Sequence, residues 1–212
     1  MKLDGKVLQR VTCIVINGSG GVGKDTFVRS LVAQPFNGVT SKINSCLGRS
    51  AAGEYIYNIS SVDQVKVAAE ILGWNPESKK SADRQFLHDL KECSIRYNDG
   101  PMHYIMSFLT KLEDECLASD MFAVVFVHIR EPDEIYKLRR TVSSNLAYTK
   151  FRTLLVKDVS TINTYENGAD DVVDNYYYYN YTFVYDKHNA VFEETAQRFD
   201  HTIRHLIVDN NI

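Results

Sequence analysis

Gly18, four further residues and then Gly23-Lys24 fall within the run Ile16-Asn17-Gly18-Ser19-Gly20-Gly21-Val22-Gly23-Lys24-Asp25-Thr26. Glycines at this density let a backbone take positive φ and turn several amides inward, which makes a nest for an anion at a helix start. A lysine closing such a loop reaches the β- and γ-phosphates of a nucleotide as a point charge. The expected nucleotide contacts are therefore Gly18, Gly20, Gly21, Val22, Gly23, Lys24, Asp25 and Thr26, and the expected cofactors are ATP and Mg2+. Loops of this kind usually follow the lysine with Ser or Thr to hold magnesium; here Asp25 intervenes and Thr26 comes next. A carboxylate serves the same ion, because magnesium takes oxygen ligands and keeps several waters. Asp25 and Thr26 are thus the expected metal contacts, with Thr26 alternatively binding an inner phosphate.

The loop has to be carried by a strand and a helix, and both are legible. Residues 11–16 form an apolar, β-branched run suited to a buried parallel strand, and residues 27–32 are apolar enough to open a helix. A Gly/Ser/Asn-rich stretch over 37–53 reads as irregular surface. A second strand is predicted over 54–60. Ser61 to Gln64 carries a capping-box spacing for a helix that stops at Gly73. Ser81 caps a helix to about 97, with Ala82, Phe86, Leu90, Cys93 and Tyr97 on its apolar face. After the turn at 98–101, a further helix over 102–118 buries Ile105, Phe108, Leu109, Leu112 and Cys116.

Residues 122–129 make the most apolar strand of the chain, and Pro132, Asp133 and Glu134 then open a helix to about 142. A fourth strand is expected over 152–156, a tyrosine-rich one over 177–185 and a last helix over 191–207. The alternation predicts a three-layer α/β/α domain spanning 1–212, with a mainly parallel sheet and ligands at the strands' carboxyl ends. The three successive helices over 61–118 read as an inserted helical region, and the polar, acidic 157–176 as a candidate lid.

Three stretches together carry a resemblance. Gly23-Lys24-Asp25-Thr26 is similar to the phage-type deoxynucleoside monophosphate kinases and to the P-loop phosphomevalonate kinases, both of the nucleoside-monophosphate-kinase fold. Residues 65–74, with Arg84, residues 87–91 and Tyr97-Asn98-Asp99-Gly100-Pro101, resemble the bacterial and phage members of the first group, as does 126–135. The resemblance covers most of 11–140. It implies ATP-dependent phosphoryl transfer to a monophosphate, an acceptor-binding insertion and a lid.

Phosphoryl transfer rests on positioning and charge neutralisation, and an acceptor phosphate is largely deprotonated near neutral pH, so the cations matter most. Arg130 follows the central strand at the ligand edge, and the resemblance gives it the acceptor phosphate; an ion pair with Glu131 or Glu134 is the structural alternative. Arg84, His88 and Lys91 share one helical face, on which the resemblance makes Arg84 and Lys91 substrate contacts. Arg139, Arg140, Arg152 and Lys157 are the candidates for cations over the transferring phosphates, with Arg152 and Lys157 the expected catalytic pair beside Lys24 and Arg130. The resembling proteins follow the fourth strand with two basic residues where this chain has Lys157-Asp158. Asn58, Ser60 and Ser61 close the second strand near the acceptor's sugar or base. His128 reads more readily as a satisfied rim histidine than as a participant. The run at 176–181 offers rings for a base but reads first as a strand with one face packed inward, and 186–189 falls where relatives place an adenine-contacting turn.

With 24 basic against 27 acidic residues the net charge is −3, so no global field draws nucleic-acid polymers. The four scattered cysteines have no metal spacing and suit reduced, buried thiols. The first apolar run is too short for a signal peptide or a membrane span, so a cytoplasmic protein with a small-molecule partner is expected, and a homodimer is compatible with that. A regulatory GTPase is excluded by the missing Asp-x-x-Gly and Asn-Lys-x-Asp. A motor-type ATPase would close a hydrophobic strand with an acid, where this chain has Arg130. Two alternatives to a nucleoside monophosphate kinase stay open: a kinase for a non-nucleotide phosphomonoester, and a nucleotide-binding sensor without turnover.

Overall fold

The computed structural model describes residues 2–3, 6–35, 45–78, 80–159, 179–186 and 194. In chain order these form β1 (Lys2–Leu3), β2 (Lys6–Val7), β3 (Val11–Asn17), α1 (Lys24–Ser30), β4 (Gln34–Pro35), β5 (Cys46–Arg49), β6 (Tyr55–Ser60), α2 (Asp63–Ile71), α3 (Ser81–Asn98), α4 (Gly100–Ala118), β7 (Ala123–His128), α5 (Pro132–Asn145), β8 (Thr149–Asp158) and β9 (Tyr181–Tyr185). β1 and β2 pair as a separate antiparallel ribbon. The main sheet runs β4-β5-β6-β7-β3-β8-β9; the five strands from β6 to β9 are parallel, and β5 and β4 extend the β6 edge antiparallel.

Period-two alternation divides the core into two layers. In β3, Val11, Cys13 and Val15 face one layer with Val125, Val127 and Leu155, against Ile105, Leu109 and Leu112 of α4 and Ile135, Leu138 and Val142 of α5. Ile14 and Ile16 face the other, with Phe126, Leu154 and Val156, against Phe27 and Val28 of α1. Burial on both faces explains why β3 and β7 read as nearly continuous apolar runs. α2 and α3 pack on one another and on α4, outside the sheet layers.

Register positions the site. Ile16 pairs with His128 and His128 with Ser60, so β3, β7 and β6 end abreast at one carboxyl edge. Asn17 pairs with Leu155, and β8 runs three residues beyond that line to Asp158.

Several expectations shift. The four-residue β5 lies within the stretch read as irregular, because its partners β4 and β6 lie across antiparallel ladders rather than in a local pattern. β8 starts at Thr149, three residues early, where buried Glu113 of α4 accepts from the Tyr148 amide (3.0 Å) and the Thr149 hydroxyl. The start of α2 is fastened by Asp63, which accepts from the Ser60 amide at 2.7 Å, and not by the Ser61 and Gln64 box. The apolar stripe assigned to α3 is not a core face: Phe86 and Cys93 are exposed and Tyr97 is 86% exposed, while Lys91 is the buried residue of that helix. Beyond 159 the expected lid lies outside the described residues, as do the helix over 191–207 except Glu194 and the first residues of the tyrosine-rich strand.

Phe27 holds α1 to the sheet. Its ring meets Phe126 edge-on at 6.2 Å and Phe183 at 5.0 Å, and Phe183 stacks on Tyr185 at 5.7 Å. Emptying so large a buried volume costs about 3–5 kcal/mol. Phe27→Ala is therefore expected to lower the unfolding free energy by about that amount in urea titrations, whereas Phe86→Ala on exposed α3 is expected to change it by less than about 1 kcal/mol.

Candidate functional site

The glycine loop runs from the end of β3 to the start of α1 across the carboxyl edge. Gly18 has φ +141°, and a Cβ there would sit 2.4 Å from the Val156 carbonyl oxygen of β8. Glycine alone permits that approach. Gly23, at φ +85°, occupies the left-handed position immediately before α1. Gly20 and Gly21 have open space where a side chain would stand, so the crest of the loop is bare backbone. The Tyr185 hydroxyl of β9 donates to the Val22 carbonyl at 2.7 Å, which ties the crest to the sheet.

Lys24 folds against the loop it closes, its Nζ donating to the carbonyls of Gly18 (2.7 Å) and Ser19 (2.8 Å). The cradle of glycines, the amides of the first turn of α1 without intrahelical acceptors, and an ammonium held beside them together suit a polyphosphate. Asp25 and Thr26 are both exposed on that first turn. Among the described residues no three His, Cys, Asp or Glu side chains converge as a metal cage. That donor set fits magnesium, which binds through one or two protein oxygens and completes its shell with phosphate and water.

A polar chain beneath Asp25 joins three elements. Asn58 of β6 donates through Nδ2 to Asp25 Oδ1 at 3.0 Å. Its Oδ1 accepts from His128 Nε2 of β7 at 2.8 Å. An amide oxygen only accepts, so the imidazole carries its proton on Nε2. His128 Nε2 also lies 3.6 Å from Asp25 Oδ1. Burial pushes the imidazole down to about 4; Asp25 opposes the shift, and Lys24 and Lys66 reinforce it. His128 is therefore neutral near pH 7. Burial also raises Asp63, with the Ser60 amide and Lys66 acting against it and Asp25 with it.

On the other side of the edge, Asn17 Nδ2 donates to the Arg130 carbonyl at 3.1 Å while its Oδ1 accepts from the Gly18 amide at 2.8 Å. One buried side chain thus fixes the start of the loop to the backbone of an exposed arginine. Lys91, only 8% exposed, pairs with Glu131 at 3.1 Å and Glu134 at 3.3 Å at the start of α5. Burial raises Glu134 to about 7, with Lys91 opposing and Glu131 adding. Burial acts upward on Glu131 too, but Lys91 outweighs it and holds that carboxyl low. Next to this group a cleft of about 80 Å³ is lined by Ser61, Ile95, Met102, Ile105, Ile129 and Glu134, with Asp99 and Lys137, themselves ion-paired, at its side.

The structure sorts the residues singled out in the sequence. The loop residues, Asp25, Thr26, Ser60, Arg130 and Lys157 stand at the carboxyl edge; Lys157 precedes the last residue of β8 and pairs with Val184. Ser60 Oγ accepts from the Val62 amide at 3.4 Å. Arg152 is not at the edge. It pairs with Ile14, three residues short of the Asn17 line and so about 10 Å back along the sheet, and its guanidinium turns to the Phe151 carbonyl at 2.8 Å. Arg152, expected among the catalytic cations, thus stands back from the glycine loop. Arg139 and Arg140 lie in the second half of α5, which runs back toward the strands' amino ends. Arg84 is exposed about 16 Å along α3 from Ile95, the point where that helix reaches the cleft. Lys91 does reach the edge region, but its ammonium is committed to the two glutamates. The connection of Asn58 and His128 to Asp25 was missed; it depends on register between β6 and β7, which no local pattern contains.

The fold and the site define a three-layer α/β protein with a glycine-rich loop at the carboxyl edge of a mainly parallel sheet. No protein-family model matches the chain, and no curated protein matches it. Among solved structures it is similar to a cysteine-to-alanine mutant of the APS kinase of Mycobacterium tuberculosis, at 15% identity and a TM-score of 0.41, covering 92% of this chain and 99% of that one. It is also similar to a kinase candidate from Chloroflexus aurantiacus, at 11% identity and a TM-score of 0.46, covering 93% and 98%. No helix among the described residues is long and apolar enough to cross a membrane.

The neutral histidine gives a pH signature. An ordinary histidine titrates near 6.5, so between about 4 and 6.5 the unfolded chain binds a proton at position 128 that the folded chain refuses. This contribution to stability is complete above that window and is lost as pH falls through it, by an amount on the order of 3 kcal/mol at most. Urea titrations at pH 4.5, 5.5 and 7 are expected to show a shallower loss for His128→Gln than for the unmodified chain. Parallel curves would contradict a buried neutral imidazole.

Proposed function

We propose that this protein is a kinase that transfers the γ-phosphoryl group of ATP to a phosphomonoester, a nucleoside or deoxynucleoside monophosphate in the first instance. One observation carries the reading: Asn17 couples the phosphate loop to Arg130, with bonds of 2.8 Å to the Gly18 amide and 3.1 Å to the Arg130 carbonyl. The first amide of the loop and the main chain that carries Arg130 are thereby fastened to one side chain, a placement that suits a transfer between two bound phosphates.

Loop amides and Lys24 take the triphosphate, and Mg2+, when bound with ATP at Asp25 and Thr26, neutralises charge on the phosphates. Arg130 takes the acceptor phosphate, with Lys157 as a second cation at the edge. No general base is needed, since a phosphate monoester with a second pKa near 6 is already mostly deprotonated at neutral pH. His128 is not required for one either, because its proton is committed to Asn58. The helical region over 61–118 serves as the acceptor side and 157–176 as the lid in this reading, in a cytoplasmic, homodimer-compatible enzyme of nucleotide metabolism.

The size of the cleft favours a second reading. At about 80 Å³ it is small beside the 300–1,000 Å³ of drug-sized ligand sites. A compact non-nucleotide phosphomonoester fits that volume more readily than a base and sugar.

ADP formation from ATP and Mg2+ with a panel of nucleoside monophosphates and small phosphomonoesters separates the readings. Lys24→Ala is expected to reduce turnover at least ~100-fold. Arg130→Ala is expected to raise the acceptor KM ~10- to 100-fold while ATP affinity stays near its starting value, as for loss of a charge-assisted phosphate contact. Unchanged acceptor kinetics in Arg130→Ala would contradict the assignment of that residue. ATP binding with no turnover on any acceptor would favour a sensor.

A further inference from the structure

The chain of bonds under α1 is built like a support for a carboxylate. We propose that His128 and Asn58 are positioning residues, a two-bond relay from β7 through β6 that holds the Asp25 carboxylate ready for the magnesium ion carried by ATP. This deepens the proposed function and rests on its reading of Asp25 as an ion contact.

The geometry gives the relay a direction. His128 Nε2–H donates to Asn58 Oδ1 at 2.8 Å, which fixes the amide so that Nδ2 faces Asp25 and donates to its Oδ1 at 3.0 Å. A reversed amide would set its NH2 against the imidazole N–H and its oxygen against the carboxylate, so each bond selects the other. The contacts to Asp25 from Asn58 and from His128 at 3.6 Å both go to Oδ1, so Oδ2 is the oxygen this proposal gives to the ion.

Asp25 needs such support. Its side chain is 70% exposed on the first turn of a seven-residue helix, where an unsupported carboxylate samples several rotamers. The two supports stand on strands of the main sheet. Asn58 stands within β6, two residues before the Ser60 that pairs with His128 at the end of β7, so the two are diagonal neighbours in the parallel register. The Ser61 amide also donates to the His128 carbonyl at 3.1 Å. The neighbouring acid cannot substitute: Asp63 is turned to the Ser60 amide at 2.7 Å. Hydrogen bonding of a ligating carboxylate from behind is worth roughly 10- to 100-fold in metal affinity. The relay also accounts for a polar pair on the α1 side of the sheet, where Ile56 and Phe126 one step back are fully buried apolar residues.

The test uses the full chain and a fluorescent ATP analogue, first bound without metal and then titrated with Mg2+. His128→Ala and Asn58→Leu are each expected to weaken Mg2+ binding to the analogue-loaded protein ~10-fold, with metal-free analogue binding changed less than ~2-fold. His128→Gln, whose amide nitrogen reaches the place of Nε2, is expected to restore most of the Mg2+ affinity; a purely space-filling histidine would not show that rescue. Asp25→Asn is expected to weaken Mg2+ at least as much as His128→Ala. Thermal melts accompany each variant, and if His128→Ala does not fold, Asn58→Leu and the His128→Gln rescue decide. Unmodified Mg2+ affinity in His128→Ala and Asn58→Leu, with Asp25→Asn impaired, would overturn the relay and leave the reading of Asp25 standing. Unmodified Mg2+ affinity in Asp25→Asn would overturn both, as would failure of the starting protein to bind the analogue.

Discussion

A side chain at position 18 would collide with the Val156 carbonyl, because the loop crosses the end of β8 with 2.4 Å between that oxygen and the place of a Cβ. The whole edge follows from this contact. It lets the chain leave β3, pass over the neighbouring strand and turn into α1 without rising off the sheet. Gly18 also offers its amide to Asn17 Oδ1 and its carbonyl to Lys24 Nζ, so the same residue that touches β8 sets the loop's first anchor and its closing cation. The aromatic cluster of Phe27, Phe126 and Phe183 then clamps α1 from below, three residues after Lys24. Close backbone approach above and dense packing below leave the loop little freedom, which is what preorganised anion binding requires.

Charge at the edge is distributed with economy. The imidazole of His128 is kept neutral by burial, so it adds no positive charge beside Lys24 at the glycine loop. Lys91 is buried, and the glutamates of α5 neutralise it. Arg130 is exposed, its main chain tied to the loop. Their sequence neighbours do not reveal that Lys91 is buried and Arg130 exposed.

The strand, glycine loop and helix were legible because each is a local pattern: a β-branched run, a glycine spacing and an amphipathic turn. The two-sided burial of β3 and β7 was legible for the same reason. Features that depend on which element lies beside which were not. The stripe of Phe86, Cys93 and Tyr97 has helical spacing, but α3 packs on α2 and α4 outside the sheet layers, and that stripe remains exposed. Arg152 was a candidate cation by its position in the chain, but pairing with Ile14 sets it three residues back from the Asn17 line. Lys91 shared a face with Arg84 and His88 by spacing, yet only the arrival of α5 decides that Lys91 is buried and paired. Asn58 and His128 meet only through parallel register.

A crystal structure with a non-hydrolysable ATP analogue and Mg2+ decides whether the bare backbone around Gly20 and Gly21, with Lys24, receives a triphosphate. Phosphate oxygens are expected within hydrogen-bond distance of the amides from Gly20 to Lys24. Lys24 Nζ is expected to leave the carbonyls of Gly18 and Ser19 for a terminal phosphate. An analogue bound away from this edge, with Lys24 still donating to both carbonyls, would contradict that binding mode.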